Sequence, residues 1–208
     1  MVDQYHPTVA TLRNLIPEAL VFGGSFEKLL PSPKELSPTS RREIFTSIFK
    51  QSVDHCVMEA CKLTGSKSHH RKTNPSNKRA WPSGFAGSIT HKGTAILVAI
   101  ISQETSKSIG IDLELLHDER MPLDINRICP EGLPFFPSMK NGATIAFSLK
   151  EAIFKAQSPL WGLTLDFSDI QLKWKDQFHA TCILPDNHKF SAKYGQTGNW
   201  ITSVAFPD

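Results

Sequence analysis

Residues 169–206 read DIQLKWKDQFHATCILPDNHKFSAKYGQTGNWITSVAF. Four segments of strand length follow one another in it: 169–175, 177–184, 189–195 and 199–206. They read as an antiparallel meander. Helical segments precede them, and helices followed by antiparallel strands point to an α+β fold.

Working back, Phe147–Ala156 reads FSLKEAIFKA and ends before Pro159. It reads as a helix, entered directly from TIAF at 144–147. Ser148 with Glu151 three residues on matches a capping box. Glu151 and Lys155 form an i,i+4 pair in the favourable order. Every charge here therefore has a structural reading. The chemical reading is that Lys150, Glu151 and Lys155 gather around a phosphate, since a helix N-terminus favours anions.

Ser106–Leu116, SKSIGIDLELL, is an earlier strand. Alternation turns Asp112 and Glu114 to one face and Ile111, Leu113 and Leu115 to the other. The plain reading is a half-buried strand with an acidic outer face. The chemical one is two rigid carboxylates that need a cation, and a hard divalent ion suits oxygen ligands. Upstream, WPSGFAGSITH (81–91) makes a tight approach to a strand and sets Thr90 and His91 at a turn before the buried strand TAILVAIIS (94–102). The basic loop 66–84 holds Arg71, Lys72, Lys78 and Arg79, which suit a ligand with several phosphates.

Further upstream, Ile44, Ile48, Val53, Val57, Ala60 and Leu63 recur at helical spacing from a cap at Ser40 to a stop at Gly65. Residues 8–20 form a short helix or strand, and 25–40, with three prolines, read as a loop. Residues 117–140 read as irregular, with a helix near their start.

The 208 residues carry a formal charge of +3 with 40% hydrophobic and 21% charged residues, ordinary for a soluble globular protein. So weak a bias does not argue for nucleic acid, and no aromatics interleave the basic run. No apolar run approaches the roughly 18 residues that cross a bilayer. The first residues lack an apolar signal core. Cys56, Cys61, Cys129 and Cys182 lack zinc-ligand spacing and read as reduced thiols. A cytoplasmic monomer is expected.

Together, WPSGFAGSITH, GIDLE and FSLKEAIFKA, in this order and spacing, resemble the three motifs of phosphopantetheinyl transferases. The likeness spans roughly residues 40–205 and is nearest to the branch serving enterobactin-type siderophore synthetases. It implies two similar α/β halves related by a pseudo-twofold axis, with coenzyme A between them. The N-terminal half, 1–104, would carry the coenzyme phosphate-binding loop. The C-terminal half, 105–208, would carry the metal site and catalytic helix. It also implies transfer of the 4'-phosphopantetheine arm of coenzyme A to a serine of an acyl- or peptidyl-carrier protein, in secondary metabolite or siderophore biosynthesis.

By the same resemblance, Asp112, Glu114 and Glu151 hold Mg²⁺ or Mn²⁺. Glu151, directly or through a metal-bound water, deprotonates the acceptor serine. Lys155 and Lys150 steady the pyrophosphate. Thr90 and His91 match a Ser-His pair that contacts the coenzyme's phosphates, and Arg71 and Arg79 add further contacts. One departure stands out: Lys50 or Gln51 falls where the first long helix of this branch usually carries a coenzyme-binding arginine. That departure favours the alternative of an inactive coenzyme-binding relative acting as scaffold or sensor.

Overall fold

A computed structural model describes residues 6–25, 37–65, 81–116 and 125–208. The elements in order are α1 (Pro7–Leu15), β1 (Leu20–Ser25), α2 (Pro38–Leu63), β2 (Phe85–Lys92), β3 (Ala95–Ser102), β4 (Gly110–Leu115), α3 (Ile125–Ile128), α4 (Met139–Gln157), β5 (Leu172–Trp174), β6 (His179–Ile183), β7 (Lys189–Thr197) and β8 (Trp200–Pro207). The strands form two antiparallel sheets, β1-β3-β2 and β4-β8-β7-β6-β5, so the fold is α+β.

The closing meander forms as its alternation dictates. Phe190, Ala192 and Tyr194 turn inward along β7, while Lys189, Ser191 and Lys193 turn outward or to the rim. The alternation of β4 does not reveal that it adds to this sheet beside the last strand, with Gly110 opposite Ala205 and Asp112 opposite Ser203.

The two sheets have one feature in common: in each, the first strand pairs with the second strand of a closing hairpin, β1 with β3 and β4 with β8, while the second sheet carries two further strands, β5 and β6, before that hairpin. The hairpin turns match as well: Lys92 pairs with Ala95 across Gly93, and Thr197 with Trp200 across Gly198, both glycines at φ 57°. A two-residue hairpin turn with positive φ at its first position favours glycine.

Helix α2 covers one face of the first sheet, with Val53 and Cys56 against Ile96, Val98 and Ile100. The other face meets α1 and the apolar side of β4 and β8 in a shared core of Leu12, Ile16, Leu97, Ala99, Ile111, Leu113 and Val204. Helix α4 closes the far side, burying Leu149, Ala152, Ile153 and Ala156. At ~25 cal/mol per Å² of apolar surface, such layers supply the main driving force for folding.

Several local expectations change. Strand β1, Leu20–Ser25, falls between the segments read from the sequence and contains Gly23 and Gly24. A side chain at Gly23 would lie 2.4 Å from the Ile96 carbonyl oxygen and 2.7 Å from Leu97, so close packing requires glycine there. Helix α2 is capped by Ser37, whose Oγ accepts from the Ser40 N–H at 3.1 Å, and not by Ser40. Its Leu63 is exposed. Helix α4 starts at Met139, capped by Ser138, whose Oγ accepts from the Asn141 N–H at 3.4 Å. TIAF is thus helical, Ser148 is a buried mid-helix residue, and there is no capping box at Glu151. Gly142 makes room in the first turn for Phe136 and Leu133.

Candidate active site

The edge strands β2 and β4 of the two sheets meet in a seam. Side chains of β2 bridge it in step. Ser88 Oγ accepts from the Ile111 N–H at 3.0 Å, Thr90 Oγ1 donates to Asp112 Oδ1 at 3.2 Å, and Lys92 Nζ lies 2.5 Å from Glu114 Oε2. Helix α4 lies across the seam because Gly110 lets it approach: a side chain there would meet the Ala152 carbonyl oxygen at 1.8 Å. Ser108 Oγ fastens the same region by donating to the Ala156 carbonyl at 2.6 Å. Ala152 and Ala156 face the strand, so their neighbours Glu151 and Lys155 flank it. Lys155 Nζ donates to Asp112 Oδ1 at 2.6 Å, the Ile111 carbonyl at 3.2 Å and Thr90 Oγ1 at 3.4 Å.

Three carboxylates and two ammonium groups thus crowd one seam. Burial, with the Asp112 charge nearby, pushes the Glu151 carboxyl above its usual range, and Lys155 partly offsets this. Burial also raises Glu114, against Lys92. Asp112 and Glu114 are 4% and 8% exposed, and Asp112 Oδ2 has no hydrogen-bond partner among the described residues. Glu114 Oε2 lacks a well-aligned donor although the ammonium of Lys92 is close, so that contact is ionic. Among the described residues, no three histidine, cysteine or acidic side chains are gathered tightly enough to hold a metal ion. The donor chemistry nevertheless fits a hard divalent cation: all oxygen, one of them buried and unpartnered.

No family model matches the chain. The chain is 32% identical over 103 residues to the 4'-phosphopantetheinyl transferase Svp of Streptomyces mobaraensis. The match covers 45% of this chain and 40% of that protein. This is a distant, partial relationship to a phosphopantetheinyl transferase, and it does not distinguish a branch.

Of the residues singled out from the sequence, the seam gathers Thr90, Asp112, Glu114, Glu151 and Lys155. His91 alternates to the other face of β2, where its ring packs 4.6 Å from Phe49 and 6.3 Å from Phe45. Partial burial there, and then the Lys155 charge, lower its pKa. Thr90 and His91 sit within a strand and not in a turn.

Lys150 is not brought to the seam. It is wholly buried on another side of α4, its Nζ 2.9 Å from Glu131 Oε1 and donating to the Phe167 carbonyl at 3.0 Å. Glu131 Oε1 also accepts from the Leu172 N–H at 3.0 Å, so the pair ties α4 to β5. Residues five apart stand about 140° apart around a helix, so Lys150 and Lys155 cannot share one face. Lys50 and Gln51 are exposed on α2. Arg71 and Arg79 lie outside the described residues, as does most of the basic loop. The reading from sequence missed Lys92 and Ser88; period-two counting from Thr90 along β2 would have found both.

Among the described residues, no helix is long and apolar enough to cross a membrane. The four cysteines form no disulfide and are buried, and burial raises the thiol pKa of Cys56 to about 11 and of Cys129 and Cys182 to about 12. Thiols held so high are poor nucleophiles.

Proposed function

We propose that this chain transfers the 4'-phosphopantetheine arm of coenzyme A to a serine of an acyl- or peptidyl-carrier protein, as a holo-carrier synthase. The carrying observation is the cluster of Asp112, Glu114, Glu151, Thr90 and Lys155 at the seam. The similarity to a transferase of that name supports it. The first strand of each sheet pairing with the second strand of a closing hairpin supports two halves, 1–104 and 105–208, related by a pseudo-twofold axis.

In the reaction the carrier serine oxygen bonds to the β-phosphorus of coenzyme A. The bridging pyrophosphate bond breaks, and adenosine bisphosphate leaves with the electron pair. The proton of the serine hydroxyl must go to a base. Glu151 suits that task, because burial and the Asp112 charge raise its carboxyl pKa and so make its carboxylate a stronger proton acceptor than an exposed one. Lys155 presents a primary ammonium to the phosphoryl oxygens, where charge develops. Thr90 Oγ1, which accepts from that ammonium, would turn its hydroxyl from Asp112 to the same anion. His91 and the arginines Arg71 and Arg79 are assigned to the coenzyme's remaining phosphates. Bound Mg²⁺ or Mn²⁺ would neutralise the pyrophosphate, with Asp112, Glu114 and Glu151 as its available oxygen donors.

The test is mass spectrometry of apo-carrier proteins of fatty-acid, polyketide and peptide-synthetase type, incubated with coenzyme A, Mg²⁺ and the protein. A gain of one phosphopantetheine mass on any carrier is expected, and its loss in E151Q. Coenzyme binding without mass gain on any carrier would instead identify a scaffold or sensor.

A further inference from the structure

We infer that Lys92 is an internal counter-ion that holds Glu114 out of the cation site, leaving Asp112 and Glu151 as its protein ligands. This deepens the reading above and rests on its divalent cation. The chemistry is competition. Glu114 faces the same side of β4 as Asp112, so alternation offers both to one ion. However, the ammonium of Lys92 sits 2.5 Å from Glu114 Oε2, with side-chain exposures of 17% and 10%. An ion pair so screened from water is stronger than a surface one.

Lys92 reaches Glu114 because β2 and β4 run in step. Ser88, Thr90 and Lys92 lie on one face of β2 and meet successive positions of β4. Lys155 occupies Asp112 differently. It comes from α4, is 28% exposed and divides its donors among three acceptors. Asp112 also keeps Oδ2 without a hydrogen-bond partner among the described residues, so it can accept a cation while still paired. Glu114 has its charge met by a lysine of the edge strand, whose neighbouring residues are fixed in the seam.

Mn²⁺ binding to the full chain, followed by the EPR signal of free Mn²⁺ with saturating coenzyme A, tests this apart from activity. K92Q frees Glu114 and should tighten Mn²⁺ about tenfold, the scale of one charge-assisted contact. K92R keeps the charge and should stay at the wild-type value. The double variant K92Q/E114Q removes the pair as a neutral unit and should also bind as wild type does. D112N should bind at least tenfold more weakly, as expected on loss of a ligand. A double variant tenfold or more weaker than wild type would make Glu114 a ligand and overturn the inference. So would K92Q without tightening, or absence of Mn²⁺ binding in both wild type and K92Q. The carrier mass assay reports on the transferase reading independently, so one can fail while the other stands.

Discussion

Gly110→Ala tests how the site is assembled. The new Cβ would lie 1.8 Å from the Ala152 carbonyl oxygen and 2.6 Å from the Ala156 nitrogen, both helix backbone. Side-chain Cβ atoms do not come closer than 3.0 Å to other heavy atoms, so α4 must withdraw by about 1.2 Å. Overpacking of this kind costs about 1–3 kcal/mol. In a domain of this size, that is a Tm fall of about 2–12 °C. The functional cost is larger. Glu151 and Lys155 ride on the same two turns of α4, and a displacement near 1 Å can cost about 10²-fold in rate. Gly195→Ala is the control: its Cβ presses on the Thr11 methyl at 2.6 Å, on α1 and away from the seam. Thermal melts and carrier-modification rates of both variants decide the matter. G110A should lose about 10²-fold in transfer, and G195A far less at a comparable Tm. If G110A kept wild-type stability and rate, α4 would not lie on β4 as described and the reasoning would fail.

Other perturbations separate the roles of the two lysines and the base. Lys150→Met leaves the largely enclosed Glu131 carboxylate without its cation and should cost about 3 kcal/mol in urea unfolding, while coenzyme affinity of the folded protein stays unchanged; weakened coenzyme binding at full stability would show that Lys150 serves the ligand instead. Lys155→Met should destabilise by about 1–3 kcal/mol, with much of the loss recovered in K155M/D112N, and a null double-mutant cycle would dissolve that pair. For Glu151 the folded carboxyl binds its proton more tightly than the unfolded one, so it lowers wild-type stability as pH rises from the ordinary carboxylate range through its raised folded pKa. E151Q should therefore melt no lower than wild type at pH 7 and show a flatter pH dependence, with transfer abolished; parallel melting profiles from pH 4 to 8 would contradict the assignment.

What the sequence determined by itself is what depends on local period. Alternation alone set Asp112 and Glu114 on one side of a strand and defined the meander from 169 to 206. Helical spacing put Glu151 and Lys155 one turn apart. Packing decided the rest, because strand partners and the rotation of a helix about its axis follow from what each element buries. The alternation of β4 is the same whichever strand lies beside it, yet its pairing with β8 brings Ser203 opposite Asp112. The need for glycine at Gly23 and Gly142 shows only in the atoms that crowd them, which come from other elements and loops. The amphipathic pattern of α4 allows Lys150 to be an outer residue, and Glu131, held by the Leu172 N–H, draws it inside together with the Phe167 carbonyl. The pairing of Lys92 with Glu114 depends on two sheet edges far apart in the chain meeting in step, and no local pattern encodes that meeting.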